Sequence, residues 1–441
     1  MKPRNLLVAA VILAALCGGV WWANKHPQAS KPATTAATST QVVNIPDADV
    51  QALTIKKKDG SSVTLERSGG KWAVTAPQAL PADQEAVGSI VSALSPLTAD
   101  SVVEEKTDDP GKFGLTHPSL TVDVKEKGGK SQTVSFGDDV PAGSLVYVRV
   151  GDSAKVDAIA SSVRSTFDKG LNDLRDKRLL TFDATKLTQI EVIAPKSEIV
   201  FEKQNAKDWM IEKPKPYRPD NFQVEELLRN LSEAKMDLSG MEDQKAIDAA
   251  FKTGQPVATV KLTDVKGTQS LEVRKNKDNF YVKSSVVPGT YKVTADLGKQ
   301  LENKSLDDYR NRKIFDFGFA DPNKLDLKRG TSDKTYTRTE QTWKLNGQTM
   351  DSASVQAVID KLRDLSATSF VDKGFTTPTL EVTVVYNDGK ATEQVSFAKT
   401  ASGYIAKRGT EAAMYLVDTK ALDDILGASN AIKPSGSAGK K

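Results

Sequence analysis

Trp72-Ala-Val-Thr-Ala-Pro77-Gln-Ala-Leu-Pro-Ala-Asp83 opens the stretch on which the fold turns: a tryptophan on a short strand, a polar turn, and an aspartate heading an amphipathic helix. The pattern returns from Trp209 through Pro214 to Asp220, the aspartate again eleven residues after the tryptophan, and once more with a tighter turn from Trp343 to Asp351. At offsets of four, seven, eight and eleven from each aspartate stand Val87, Ile90, Val91, Leu94; Val224, Leu227, Leu228, Leu231; and Val355, Val358, Ile359, Leu362. That spacing lays one apolar face along a helix with a period of 3.6, and its recurrence in three places marks a repeat. Each aspartate is placed to cap its helix, accepting from free backbone N–H groups at the positive end of the helix dipole. The tryptophans are expected in the core rather than on a ligand-stacking platform.

Around these units the chain reads as three short α+β meanders. Each begins with a strand pair: Leu53–Ile55 and Val63–Leu65 around Asp59-Gly60, then Ile190–Ile193 with Ile199–Phe201, then Leu325–Leu327 with Tyr336. After each helix a second shared block leads into an alternating strand. It runs from Phe113-Gly-Leu-Thr-His-Pro118, from Phe251-Lys-Thr-Gly-Gln-Pro256, and from Phe375-Thr-Thr-Pro378. Short helical stretches are expected to close the units near Val156 to Phe167, Leu297 to Leu306 and Leu422 to Leu426. The junctions also match, Leu174-Arg-Asp-Lys-Arg-Leu-Leu-Thr-Phe182 paralleling Tyr309-Arg-Asn-Arg-Lys-Ile-Phe-Asp-Phe317, as internal duplication predicts.

A length of 441 residues suits roughly three domains of about 100 to 150 residues. With 27% charged and 39% hydrophobic residues the composition is that of a folded soluble region, and the 61 basic and 57 acidic residues are too well mixed to attract nucleic acid. The single cysteine, Cys17, excludes an intrachain disulfide and a cysteine-based zinc site.

At the N-terminus Lys2 and Arg4 precede an uncharged run from Asn5 to Ala23, in which Leu6 to Ala23 provides about 27 Å of helix, just enough for a bilayer core. The basic residues place the short end in the cytoplasm and the bulk of the chain outside it, with Trp21 and Trp22 at the outer interface. An uncleaved single-pass anchor in a bacterial inner membrane is the favoured reading. A cleaved signal peptide, or a lipoprotein processed at Cys17, are the alternatives; Trp21 fits poorly at a small-x-small site, and Leu16 fits poorly before a lipidated cysteine. The expected organisation is a cytoplasmic N-terminus at 1–4, a transmembrane anchor at 5–23 and a flexible tether at 24–46. Repeats follow at 47–170, 187–309 and 322–428, joined by junctions at 171–186 and 310–321, before a disordered tail at 429–441.

Chemistry is hard to find in this chain. Its two histidines, His26 and His117, cannot form the usual histidine triads or zinc sets, and His117 reads as a turn residue before Pro118. Ser232-Glu-Ala-Lys235 and Lys252-Thr253-Gly254 match the S-x-x-K and K-T-G elements of penicillin-binding enzymes, without the S-D-N partner. These matches are the one handle for an envelope hydrolase. Phosphate-binding glycine loops are absent, so no nucleotide is expected. Glu104-Glu105, Asp108-Asp109 and Asp138-Asp139 read as solvated turn carboxylates without calcium-loop spacing. Arg175 to Arg178 and Arg310 to Lys313 read as interdomain connectors with a solvated face rather than as contacts to lipid headgroups or a partner. No catalytic, cofactor-binding or metal-binding residue is therefore assigned, and no cofactor is expected.

The combination of W-x-x-x-x-P, an aspartate before a helical LL-x-x-L, and F-G-L-x-x-P before a strand resembles the bacterial "domain of unknown function 4340" family. Trp72, Pro77, Asp83, Phe113, Gly114, Leu115 and Pro118 carry the match, and Trp209, Pro214, Asp220, Phe251 and Pro256 carry it again. The third unit departs, with no proline after Trp343 and a shortened Phe375 loop. The resemblance implies a cell-envelope partner of ABC-type transporters related to gliding-motility export systems, meeting permease and auxiliary subunits. It carries over no catalytic residue. A glycan- or peptidoglycan-binding module using Trp72, Trp209 or Trp343 is the alternative function.

Overall fold

The computed structural model describes residues 40–141, 143–204, 208–238, 243–409 and 411–436. The fold is α+β and mostly antiparallel. The chain divides into two compact units, Met1–Lys177 and Arg178–Lys441.

The first unit holds a nine-stranded sheet, with Leu80–Pro81, Lys71–Ala76, Ser62–Ser68, Val50–Lys57, Leu120–Glu126, Ser131–Asp139, Leu145–Val150, Val156–Ala160 and Ser101–Glu104 in spatial order. The second unit holds two sheets. One runs Asp208–Lys213, Ser197–Gln204, Gln189–Ala194, Gln255–Asp264, Gly267–Asn276, Asn279–Ser284, Thr290–Val293. The other runs Gln348–Thr349, Thr342–Leu345, Ser332–Thr339, Lys324–Arg329, Leu380–Tyr386, Ala391–Thr400, Gly403–Arg408, Met414–Val417, Ser369–Val371. The three sheets use one plan, in which the chain leaves the sheet to form a helix after the opening meander and returns to lay a long strand beside the first one, Leu120–Glu126, Gln255–Asp264 or Leu380–Tyr386. The seven-stranded sheet lacks the outermost strand at either edge; Tyr217 bridges Ile211 at one, and Met236 bridges Val293 at the other.

Helices Gln84–Ser92, Asn221–Glu233 and Ser352–Asp364 follow the three aspartates. Asp83 accepts from the backbone of Glu85 and Ala86, Asp220 from Phe222 and Gln223, and Asp351 from Ala353, as expected of caps. All twelve apolar residues at the counted offsets are buried, Leu228 least so. The tighter third turn is an Asn346-Gly347 hairpin with both residues in the left-handed region, which explains why no proline is needed there.

Each helix is fastened at both ends by backbone from elsewhere in the chain. At its C-terminal end, Ile45 donates to Leu94, Leu179 to Ala234 and Ile314 to Leu365, each at 3.0 Å. At its N-terminal end, Asp83 donates to Leu174 at 2.8 Å, Asp220 to Tyr309 at 2.7 Å and Asp351 to Lys433 at 2.9 Å. The bonds continue from Asp176 to Pro81, Asn311 to Arg218 and Ser435 to Thr349. The junction sequences match because each carries a strap for the preceding helix and, five residues later, a lead-in for the next.

Several expectations need correcting. The stretch read as tether is folded from Thr40: Thr40–Val43 pairs with Leu97–Ala99, and Ile45 is fully buried. The stretch read as disordered tail continues a helix, Thr419–Asn430, and then supplies Ile432 to the core and Pro434 as a bridge to Met350. Residues 156–167 are a strand, Val156–Ala160, before a helix, Ser161–Phe167, because four buried residues in a row suit a covered strand. The helix Gln244–Thr253 was not anticipated, and Phe251 lies in its last turn rather than in a loop. The anchor expected at residues 5–23 lies outside the described residues, among which no helix is long and apolar enough to cross a membrane.

Candidate functional site

The residues singled out for chemistry are spent on folding. Trp72, Trp209 and Trp343 are 6%, 8% and 2% exposed, so the rings a glycan platform would need are covered. Each sits directly across a strand pair from a cation: Arg67, Lys203 and Arg338, at 5.6, 5.2 and 5.9 Å from the ring centroids. A cation over an indole face contributes about 0.5–1 kcal/mol at such partly exposed sites and seals the ring from solvent.

The penicillin-binding match dissolves. Ser232 is exposed on the capped helix and its hydroxyl donates to the Arg229 carbonyl at 2.7 Å, while Lys235 bridges Arg178. Lys252 and Thr253 end a helix, where a K-T-G element needs a strand. His117 is exposed in the turn before Pro118. Asp109 caps the turn Pro110–Phe113, Asp139 pairs with Arg164 at 3.0 Å, and among the described residues no acidic or histidine group is clustered for a metal ion. The F-G-L element has a local cause: Gly114 is left-handed, and a Cβ there would lie 2.5 Å from the Asp138 carboxyl.

Of the junction arginines, Arg178 and Arg312 are exposed on the expected solvated face, whereas Arg175 and Arg310 are interior. Arg310, 7% exposed, is stacked between Tyr217 and Phe370 at 4.0 and 3.6 Å, and Arg175 is 9% exposed. Beside Arg310 the second and third sheets meet in a charged cluster that sequence reading missed. Arg218, just before the Asp220 cap, reaches Asp316 and Glu411 and donates to Tyr415 Oη at 3.2 Å. Arg408 pairs with Glu411 at 2.7 Å and Glu393 at 3.2 Å, and Glu393 accepts from Tyr386 Oη at 2.9 Å and the Asp316 N–H at 2.8 Å. Burial opposes the Arg218 charge, but Tyr415, Glu411 and Asp316 outweigh it and hold the guanidinium protonated more firmly than usual. Burial pushes Tyr415 up to about 12 in spite of Arg218 beside it, and burial with the Glu393 hydrogen bond pushes Tyr386 up to about 12. With every charge paired and no open floor beside it, this cluster is suited to locking two sheets together rather than to acid–base work.

Two of the open clefts lie in corresponding places. One, about 500 Å³, lies in the first unit beside Lys169-Gly170-Leu171; the other, about 610 Å³, lies in the second beside Lys304-Ser305-Leu306.

Residues 72–218 and 209–381 each match the family described as "Domain of unknown function (DUF4340)". The chain belongs to this family. Both matches begin on a repeated tryptophan, Trp72 and Trp209. No curated protein and no solved structure matches the chain.

Proposed function

We propose that this DUF4340 protein is a non-enzymatic accessory subunit of an ABC-type, gliding-motility-like transport complex. In this reading a single helix at residues 5–23 anchors it in the inner membrane, and three tandem repeats form an interaction arm outside the cytoplasm. One observation carries the reading: the side chains that recur in all three sheets are held in core and cap. What varies, and what a partner can read, is the surface that the sheets present. The transporter association is what the resemblance to this family implies, and the uncharged N-terminal run supports the anchor.

Purification of the tagged protein from membranes in mild detergent tests the proposal. Permease and ATPase subunits are expected to accompany it, and recovery of the protein by itself would overturn the assignment. The mass of the purified chain separates the three fates of the N-terminus, because an intact anchor retains Met1 or Lys2 whereas signal cleavage or lipidation at Cys17 removes the preceding residues.

A further inference from the structure

The two clefts are equivalent places in the first and second sheets. Gly170 and Ser305 each precede a one-turn helix, and a carboxylate three residues on reaches back to their N–H, Asp173 and Asp308 both at 2.8 Å. Lys169 therefore corresponds to Lys304, and Leu171 to Leu306. Each cleft opens between this turn and the first hairpin of its sheet, at Gly60-Ser61-Ser62 in one and Pro195-Lys196-Ser197 in the other.

Their chemistry also corresponds. One lining lysine of each is already ion-paired, Lys57 at 2.6 Å with Asp168, which lies outside the first cleft's lining, and Lys275 at 2.7 Å with Glu302 inside the second. Each keeps a further ammonium outside an ion pair: Lys169 makes none among the described residues, and Lys304 Nζ donates to the neutral Gln223 amide at 3.2 Å, with Asp308 near enough to feel its charge. The floors are apolar, Ile55, Val63 and Leu171 in the first and Val257, Leu301 and Leu306 in the second. In the third sheet the residue five before the strap is Ala428, inside a helix, so the lysine is replaced there.

We propose that these clefts are docking slots for an extended acidic segment of a partner protein, an apolar side chain lying on the floor and a carboxylate meeting Lys169 or Lys304. Charge complementarity selects this occupant. A free anion would use the lysine and leave the floor wet, and a wholly apolar strand would bury the lysine without a partner. The ion pair fixes the walls while the second lysine stays available, an arrangement that discriminates by charge rather than by shape alone. This inference rests on the interaction-arm reading and names the partner's chemistry.

The test uses the purified full chain and labelled short peptides of alternating leucine and glutamate, leucine and glutamine, or leucine and lysine, followed by fluorescence anisotropy. The leucine–glutamate peptide is expected to bind, and the combined variant Lys169→Glu, Lys304→Glu to weaken it by about tenfold or more, the scale of a charged hydrogen bond. Lys169→Gln with Lys304→Gln, checked for unchanged thermal unfolding, should reproduce most of that loss. Equal binding of the leucine–glutamine peptide, or binding indifferent to both lysine variants, overturns the proposal. Displacement by inorganic phosphate at comparable concentration would instead assign the clefts to simple anions and overturn the peptide occupant. Because the peptide is supplied in solution, failure here removes the slots and leaves the outcome of the membrane purification untouched.

Discussion

Two lead-in segments pass through the same slot of successive sheets and are held there by different chemistry. Against the second sheet, Ser284 Oγ donates to the Leu179 carbonyl, and the Gln269 amide accepts from the Thr181 N–H at 2.9 Å and donates to its carbonyl at 3.2 Å. Against the third, Arg408 donates to the Ile314 carbonyl and Glu393 accepts from the Asp316 N–H at 2.8 Å. The residues occupy corresponding register positions, Gln269 opposite Leu262 as Glu393 is opposite Val384, and Ser284 opposite Leu271 as Arg408 is opposite Val395. One donor and one acceptor suffice for the backbone, and neutral side chains supply them at the second sheet. Once the pair is Glu and Arg, burial demands more partners, which Tyr386, Glu411 and Arg218 provide. Arg218 belongs to the second sheet's side of the chain, so the charged version also ties the two sheets into the single core that runs from Leu179 to Ile425.

This comparison can be broken most severely at Glu411, the shared acceptor. Glu411→Ala takes one carboxylate from both Arg218 and Arg408, leaving them Asp316 and Glu393, and is expected to cost about 3 kcal/mol in denaturant unfolding, whereas Gln269→Ala in the neutral slot should cost about 1–2 kcal/mol. Equal losses would show that the charges add no dependence of their own. Rebuilding the neutral slot in the third sheet sharpens the point. Arg408→Ser should lose about 3 kcal/mol, and adding Glu393→Gln should recover a good part of it, since the pair rather than either charge is what the site requires. A double-mutant cycle that is simply additive would contradict this.

A smaller effect follows from pH. Tyr386 and Tyr415, pushed up to about 12, keep their protons in the folded state where an unfolded tyrosine, with an ordinary value of about 10, would lose them. Their contribution is therefore fully present below pH 10 or so and is lost as pH rises toward about 12. Ultraviolet titration should show late-ionising tyrosines in the native protein, and Tyr386→Phe and Tyr415→Phe should each lower their number by one, leaving the buried Tyr309 among them. The smallest change is at the repeated tryptophans: Arg67→Ala, Lys203→Ala and Arg338→Ala should each cost about 0.5–1 kcal/mol, alike in all three sheets, by thermal unfolding. A loss confined to the third sheet would tie that cation to the charged joint instead.

The parts of this fold that were legible in the sequence are those set by local periodicity. Val87, Leu227 and Ile359 declare their helix faces, and Asp83, Asp220 and Asp351 declare their caps, because neighbours within a dozen residues decide both. Arg218 meets Glu411 and Tyr415 from almost two hundred residues away, and no periodic signal marks that pairing. The clefts were hidden for the same reason, since each needs a hairpin and a strap brought together from opposite ends of a sheet's sequence. The helix Gln244–Thr253 did leave a trace, an Asp243 cap followed by Ile247, Ala250 and Phe251 at helical spacing. Lys433 and Pro434 left none, because they fasten Asp351 and Met350 with backbone atoms that any sequence carries.

The straps also impose an order in time. A polypeptide made from its N-terminus presents Asp83, Asp220 and Asp351 long before Leu174, Tyr309 and Lys433, the carbonyls that secure them, have been synthesised. Each helix must wait, capped at one end and unlatched from its neighbour, until the ribosome has finished the strands that follow. For the third helix the latch arrives among the last residues described, so a chain cut or stalled ahead of Lys433 holds every strand of its final sheet and still cannot close it.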